Sequence, residues 1–158
     1  MKRLRNEKVS LDGVDLRIMR VLAEDARIST AELARLVGLS PPSVAERIRR
    51  LQETRAIEAY TIRVAPAALG RPLSAWLRIR PVPGQLATVA EIIKALPEIA
   101  QCDRVTGDDC FIALVHVRSV ADLERVIDRI IPHAMTNTSI IQSSPVRARL
   151  PIPTPDEL

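Results

Sequence analysis

Two segments of helical periodicity meet at Val37-Gly38-Leu39-Ser40-Pro41-Pro42, and no other feature restricts the fold as much. Inside a helix a proline removes a backbone donor and clashes with the preceding turn. At the first helical position the missing N–H has no partner to lose, and the second position also lies in the turn of free donors. The pair therefore reads as a helix start, with Ser40 as N-cap, Pro41 first and Pro42 second. Gly38 is a helix-ending residue, which leaves Gly38-Leu39-Ser40 as a tight connection.

The segments on either side complete a three-helix unit. Leu11, Val14, Ile18 and Leu22 recur at spacings of three and four, with Asp12 as the N-cap. Ser29-Thr-Ala-Glu32 has the S-x-x-E pattern of a capping box and leads into Leu33, Ala34, Leu36 and Val37. In the third helix Val44, Ile48 and Leu51 share one face. Pro42, Ser43, Glu46, Arg49, Arg50 and Glu53 are left outward, with Arg47 on the flank.

Two helices joined by a short glycine turn form a helix-turn-helix, whose second helix enters the DNA major groove. Arginines there pair with guanine edges or with phosphates. The candidate DNA-contact residues are Ser40, Pro42, Ser43, Glu46, Arg47, Arg49 and Arg50, with Arg47 and Arg50 preferred over Arg49. A solvated arginine face is the competing reading. Charge alone favours the solvated face, and the order of capping box, glycine turn, first-turn prolines and arginines is what favours DNA. The asymmetry of charge, with 13 Lys/Arg against 9 Asp/Glu in residues 1–64 and 10 of each in the remainder, only agrees with it.

After Ala56 the periodicity changes. "IEAYTIRVAP" alternates and predicts a short hairpin or linking strand over the first part of a 57–72 hinge, punctuated by Pro66, Gly70 and Pro72. Beyond it, strands are expected at Leu73–Val82, Ile99–Thr106, Cys110–Val117 and Asn137–Arg149. Helices are expected at Leu86–Leu96 and Val120–Ile131. This βαββαβ order is the ferredoxin-like split unit. The fold class is therefore α+β: a winged-type helix-turn-helix domain (1–56), the hinge (57–72), the βαββαβ domain (73–150) and an extended Pro-rich tail (151–158). Trp76, Arg78 and Arg80 alternate with Leu77 and Ile79, which predicts a partner-facing side of the sheet.

Catalytic chemistry has little support. Cys102 and Cys110 lack metal or redox spacing and read as buried free thiols, and His116 and His133 are too few for a histidine metal cluster. No P-loop, G-x-S-x-G or G-x-G-x-x-G occurs, so neither cofactor nor metal is expected. No apolar run approaches the roughly 18–20 residues of a membrane span. The basic N-terminus has no apolar segment after it and is not read as a secretory signal. A cytoplasmic location is the expectation. With one Phe, one Tyr and one Trp, the βαββαβ domain lacks the aromatics that stack RNA bases.

Residues 11–61 resemble the DNA-binding domain of the Lrp/AsnC (feast/famine) transcriptional regulators. The likeness lies in L-D-x-x-D, R-I-S at residues 27–29, "ELARLVGLS", "ERIRRL" and I-x-x-Y at residues 57–60. It extends to about Arg149. The resemblance implies homodimers formed through the βαββαβ sheets, further assembly to octamers, and an amino acid or related metabolite bound between dimers near the central hairpin turn. The family's turn reads G-D-x-D and then an aromatic. Here Thr106 precedes Gly107-Asp108-Asp109-Cys110-Phe111, so Cys110 stands at the second acidic position. A carboxylate pairs with an α-ammonium group far better than a thiol does. Asp108 or Asp109 is left for that role, or the effector is not a simple amino acid. A plain acidic hairpin corner is the competing reading. Asn137, Thr138 and Ser139 correspond to the family's second contact region.

Sirohaem decarboxylases also resemble Lrp/AsnC proteins and give the enzyme alternative, in which His116 or His133 would serve as acid/base or haem-binding groups. The arginine-bearing third helix argues against it, and His116 reads as structural.

Overall fold

The structure, a computed structural model, describes residues 10–154. The N-terminal stretch 1–9 and the end of the tail, 155–158, lie outside the described residues. So does most of the basic excess noted above, since Lys2, Arg3, Arg5 and Lys8 stand there against Glu7 alone. The chain divides into two compact units: the chain up to Ile62 together with the segment from Ala148, and Arg63–Arg147.

The first unit holds α1 (Gly13–Glu24), α2 (Thr30–Val37) and α3 (Pro41–Glu53). Asp12 caps α1 with a reciprocal box: its carboxylate accepts the N–H groups of Val14 and Asp15, and its own N–H donates to Asp15 Oδ2. At α2 the box expected from Ser29 and Glu32 is only half made. Ser29 Oγ accepts the Glu32 N–H at 3.2 Å, but the Glu32 carboxylate is taken by Arg35, one turn on, at 2.5 and 3.1 Å. Gly38 ends α2 with φ 73°, the left-handed region that a side chain disfavours.

Ser40 caps α3, and Pro41 and Pro42 fill its first two positions. Ile18, Leu33, Ala34, Val37, Val44 and Leu51 form the core of this unit, with Ile48 half-buried beside them. Each fully buried aliphatic of this kind contributes about 1.5–3 kcal/mol.

Residues 58–65 form no strand, contrary to the hairpin or linking strand predicted there, and no wing follows α3 among the described residues. Alternation supplies the side-chain pattern of a strand, but a ladder also needs a neighbouring strand, and among the described residues this stretch has none. The tail returns to the first unit, where Arg20 donates to the Pro153 carbonyl at 2.8 Å.

The second unit comprises β1 (Leu73–Pro81), α4 (Leu86–Lys94), β2 (Ile99–Arg104), β3 (Phe111–Val117), α5 (Val120–Asp128) and β4 (Ala134–Ile140). The sheet order is β2-β3-β1-β4, with every neighbouring pair antiparallel. This is the ferredoxin-like arrangement expected from the element order. Ala75, Leu77 and Ile79 of β1 join Phe111, Ala113, Val115 and Val117 of β3 in a core with Val89, Ile93, Leu123 and Val126 of the helices.

β4 begins and ends earlier than predicted. Ala75 pairs with Ile140, and the Ile141 N–H reaches Ser74 at the start of β1, so nothing beyond has a partner strand. Pro145 could not donate to a ladder in any case. The other elements fall within a few residues of expectation, shortened mostly at their C-terminal ends.

Candidate nucleic-acid interface and ligand turn

The core commits one side of α3 and leaves the other for contact. Leu39, Ser43, Glu46, Arg47 and Arg50 line one open depression of about 440 Å³. Ser40 Oγ accepts the Ser43 N–H at 3.4 Å, and the two hydroxyls lie 2.8 Å apart. Pro42 is exposed beside them.

The three arginines of this helix are held differently. Arg47 Nη1 donates to Asp12 Oδ2 at 2.7 Å and to Asp15 Oδ1 at 2.8 Å, which leaves its side chain 29% exposed. Arg50 Nη2 pairs with Asp15 Oδ2. Arg49, 59% exposed, lies between Glu46 and Glu53 on its own helix, 2.6 Å from each. Thus Arg47 and Arg50 are tied to another helix, whereas among the described residues Arg49 pairs along α3 alone.

These partners set the local electrostatics. Burial pushes the Asp12 carboxyl up, but the Asp15 and Val14 N–H groups and the Arg47 guanidinium outweigh it and hold Asp12 below the ordinary value. The Arg49 guanidinium likewise holds Glu46 below its ordinary value.

Asp15 was not among the sequence-predicted residues, and it is fully buried. A signal for it was present: it stands four residues after Leu11 and three before Ile18, on the apolar stripe of α1. A carboxylate on a core-facing stripe requires cationic partners, and arginines were waiting on α3.

In the second unit the hairpin turn between β2 and β3 is closed by a hydrogen bond from Val105 N–H to the Cys110 carbonyl. Thr106, Gly107, Asp108 and Asp109 lie in it, and Gly107 has φ 106°, which favours glycine. Cys110 N–H donates to the Ile79 carbonyl, pinning the end of the turn to β1. Asp109 Oδ2 accepts Arg78 Nε at 2.8 Å, and Arg80 stands 3.6 Å from Asp108 and 3.8 Å from Asp109.

Arg78 also faces Asn137 across the β1–β4 ladder, so it neighbours both predicted ligand patches. The β4 triplet is split by its alternation. Asn137 and Ser139 oppose Arg78 and Trp76 on the open face, whereas Thr138 opposes buried Leu77 on the helix-covered face.

The open face carries Trp76, Arg78 and Arg80 alongside Ile112 and Leu114. Cys102 and Cys110, predicted as buried thiols, are only half-buried. Burial, assisted by the Asp103 charge, raises the Cys102 thiol pKa. The two histidines are not brought together. His116 pairs with Ser74 at the start of β1, and its Nδ1 lies 2.7 Å from Ser74 Oγ. The His133 backbone carbonyl accepts the Val82 N–H beyond the other end of that strand.

Comparison with known proteins also divides the chain into two modules, with residues 148–151 matched to the second. A family model described as the AsnC-type helix-turn-helix domain matches residues 11–52, and one described as the Lrp/AsnC ligand binding domain matches residues 74–151. The HTH-type transcriptional regulator LrpC of Bacillus subtilis is 35% identical over 135 residues, covering 85% of this chain and 94% of the relative. LrpA of Mycobacterium tuberculosis is 35% identical over 122 residues, covering 77% and 81%.

The solved structure of B. subtilis LrpC superposes with a TM-score of 0.82 at 34% identity, covering 89% of this chain and 99% of that one. A feast or famine regulatory protein of M. tuberculosis complexed with L-methionine gives 0.83 at 33% identity, covering 91% and 100%. Nothing in these relatives supports the decarboxylase alternative, since they are named as transcriptional regulators. With helix-turn-helix and ligand-binding modules both matched in order, the chain belongs to the Lrp/AsnC family of transcriptional regulators.

Proposed function

We propose that this regulator reads operator DNA with α3, using Ser40, Pro42, Ser43, Glu46, Arg47, Arg49 and Arg50. The observation that carries this reading is the division of α3 itself: Val44 and Leu51 are buried, and the opposite side is polar and lines an open depression. An exposed helix face of that composition suits base edges and phosphates. A dimer would occupy pseudo-palindromic half-sites about one helical turn (~34–36 Å) apart.

The effector is an amino acid or related metabolite, bound at the turn Thr106–Gly107–Asp108–Asp109–Cys110 with help from Asn137, Thr138 and Ser139. The M. tuberculosis relative complexed with L-methionine supports that ligand class. Dimers form through the open face bearing Trp76, Arg78 and Arg80 and assemble further to octamers, with the effector between dimers. The working location is the cytoplasm; among the described residues no helix is long and apolar enough to cross a membrane. No enzymatic activity is proposed.

A thermal-shift panel of amino acids, followed by binding of each hit's complex to the DNA upstream of the protein's own gene, tests the whole reading. A stabilising amino acid that alters DNA affinity by about 1–3 kcal/mol supports it. The absence of any DNA retention in a well-folded preparation counts against it.

A further inference from the structure

Asp15 is fully buried, and both of its oxygens are taken by arginines of the contact helix. Oδ1 accepts Arg47 Nη1, while Oδ2 accepts Arg50 Nη2 and the Asp12 N–H. Asp12 takes the same Arg47 nitrogen at 2.7 Å. Two carboxylates at the start of α1 therefore face two guanidiniums one turn apart on α3, and their charges cancel.

A guanidinium has five N–H donors in a rigid fork. The bonds to Asp12 and Asp15 engage one nitrogen of each arginine, so donors remain for a second partner. What the cluster removes is mobility and net charge. Phosphate binding draws on net positive charge and is read in the salt dependence of affinity, whereas base reading draws on fixed donor geometry.

Resting on the assignment of α3 as the DNA-contact helix, we propose that Asp15 is a positioning and specificity-determining residue. It holds Arg47 and Arg50 as a fixed, charge-neutralised pair that reads bases instead of tethering phosphates. Asp12 supports Arg47 in the same role.

The test compares wild-type chain with Asp15→Asn and Asp12→Asn on two duplexes across a salt series. One duplex is an operator selected from random-sequence DNA by the wild-type protein; the other is its scrambled counterpart. In Asp15→Asn, operator affinity is expected to fall at least tenfold while affinity for the scrambled duplex rises severalfold. The scrambled-duplex slope of log K against log salt should steepen by about 0.9 for each guanidinium released onto phosphate. Asp12→Asn should move both quantities the same way by less.

A merely structural Asp15 would lower both affinities together with the melting temperature, and that parallel loss overturns the proposal. An unchanged operator-to-scrambled ratio in folded Asp15→Asn overturns it too. If Asp15→Asn does not fold, Asp12→Asn decides, since its site is half-exposed, and an unchanged ratio there is equally fatal. Arg47→Ala and Arg50→Ala separate this inference from the reading beneath it. If neither weakens operator binding, the α3 assignment fails. If they do and the aspartate variants do not, only the positioning role fails.

Discussion

Arg78 Nε donates to Asp109 Oδ2 at 2.8 Å and thereby ties the central strand to the turn that bears the ligand candidates. The Asp109 side chain is only 17% exposed. An α-ammonium group arriving at this turn would have to share Asp109 with Arg78 or use the exposed Asp108. Asp109→Asn is expected to weaken the binding of stabilising amino acids about tenfold, or ~1.4 kcal/mol, as read by calorimetric titration. An isotherm identical to wild type would remove Asp109 from the site.

Operator affinity offers the second measurement. Arg47→Ala and Arg50→Ala should each cost about 1–3 kcal/mol if the side chain is bidentate to guanine. Each also strips a partner from buried Asp15, so the melting temperature should fall alongside. Removing both arginines leaves that carboxylate with only the Asp12 N–H, and a buried ion stripped of its partners costs about 3–5 kcal/mol. The double variant is expected to lose the cooperative unfolding transition of the first unit. Unchanged affinity and unchanged salt slope in both single variants would contradict the contact assignment.

The start of α3 can be tested through Ser40. Pro41 and Pro42 have no N–H, so Ser43 supplies the first free donor of the helix, and Ser40 Oγ accepts it. Ser40→Ala leaves that donor without its cap and should cost about 1 kcal/mol. The midpoint of urea unfolding should drop with its slope unchanged. No movement of the midpoint would mean that solvent replaces the cap fully.

His116 predicts a pH dependence. Burial, followed by the Arg71 charge, lowers its pKa from the ordinary 6.5. The unfolded chain then binds the proton first as pH falls, so stability decreases from about 6.5 down to the folded value and is level below it. Thermal melts of the second unit between pH 5 and 7.5 should show this slope (range set about the ordinary histidine value). His116→Gln should flatten it, and a slope that survives the substitution assigns it to another group.

Local chemistry was the most legible part of the chain. Asp12, Ser40, Pro41 and Gly38 do in the structure what their sequence neighbours imply, because caps and turns depend on residues three or four positions away. The alternation of Trp76, Arg78 and Arg80 with Leu77 and Ile79 was legible for the same reason. Partners distant in sequence were not. Arg50 was read as outward and Arg47 as flanking, and nothing in the sequence around them reveals their partner 32 to 35 residues earlier. Its only sign lay in α1, where Asp15 interrupts the apolar stripe. Arg78 was assigned to a partner-facing surface, although it also holds Asp109 in the turn that bears the ligand candidates. The end of β4 depends on where β1 begins, and residues 58–65 depend on a neighbouring strand that the described residues do not provide.

The first unit is built from both ends of the described chain, with Arg20 holding the Pro153 carbonyl. A single cut after Ile62 therefore does not yield the whole unit, because its last segment arrives only after Arg147. A chimaera that exchanges the first unit of this chain and keeps the Arg20–Pro153 contact needs two junctions, one on each side of Arg63–Arg147.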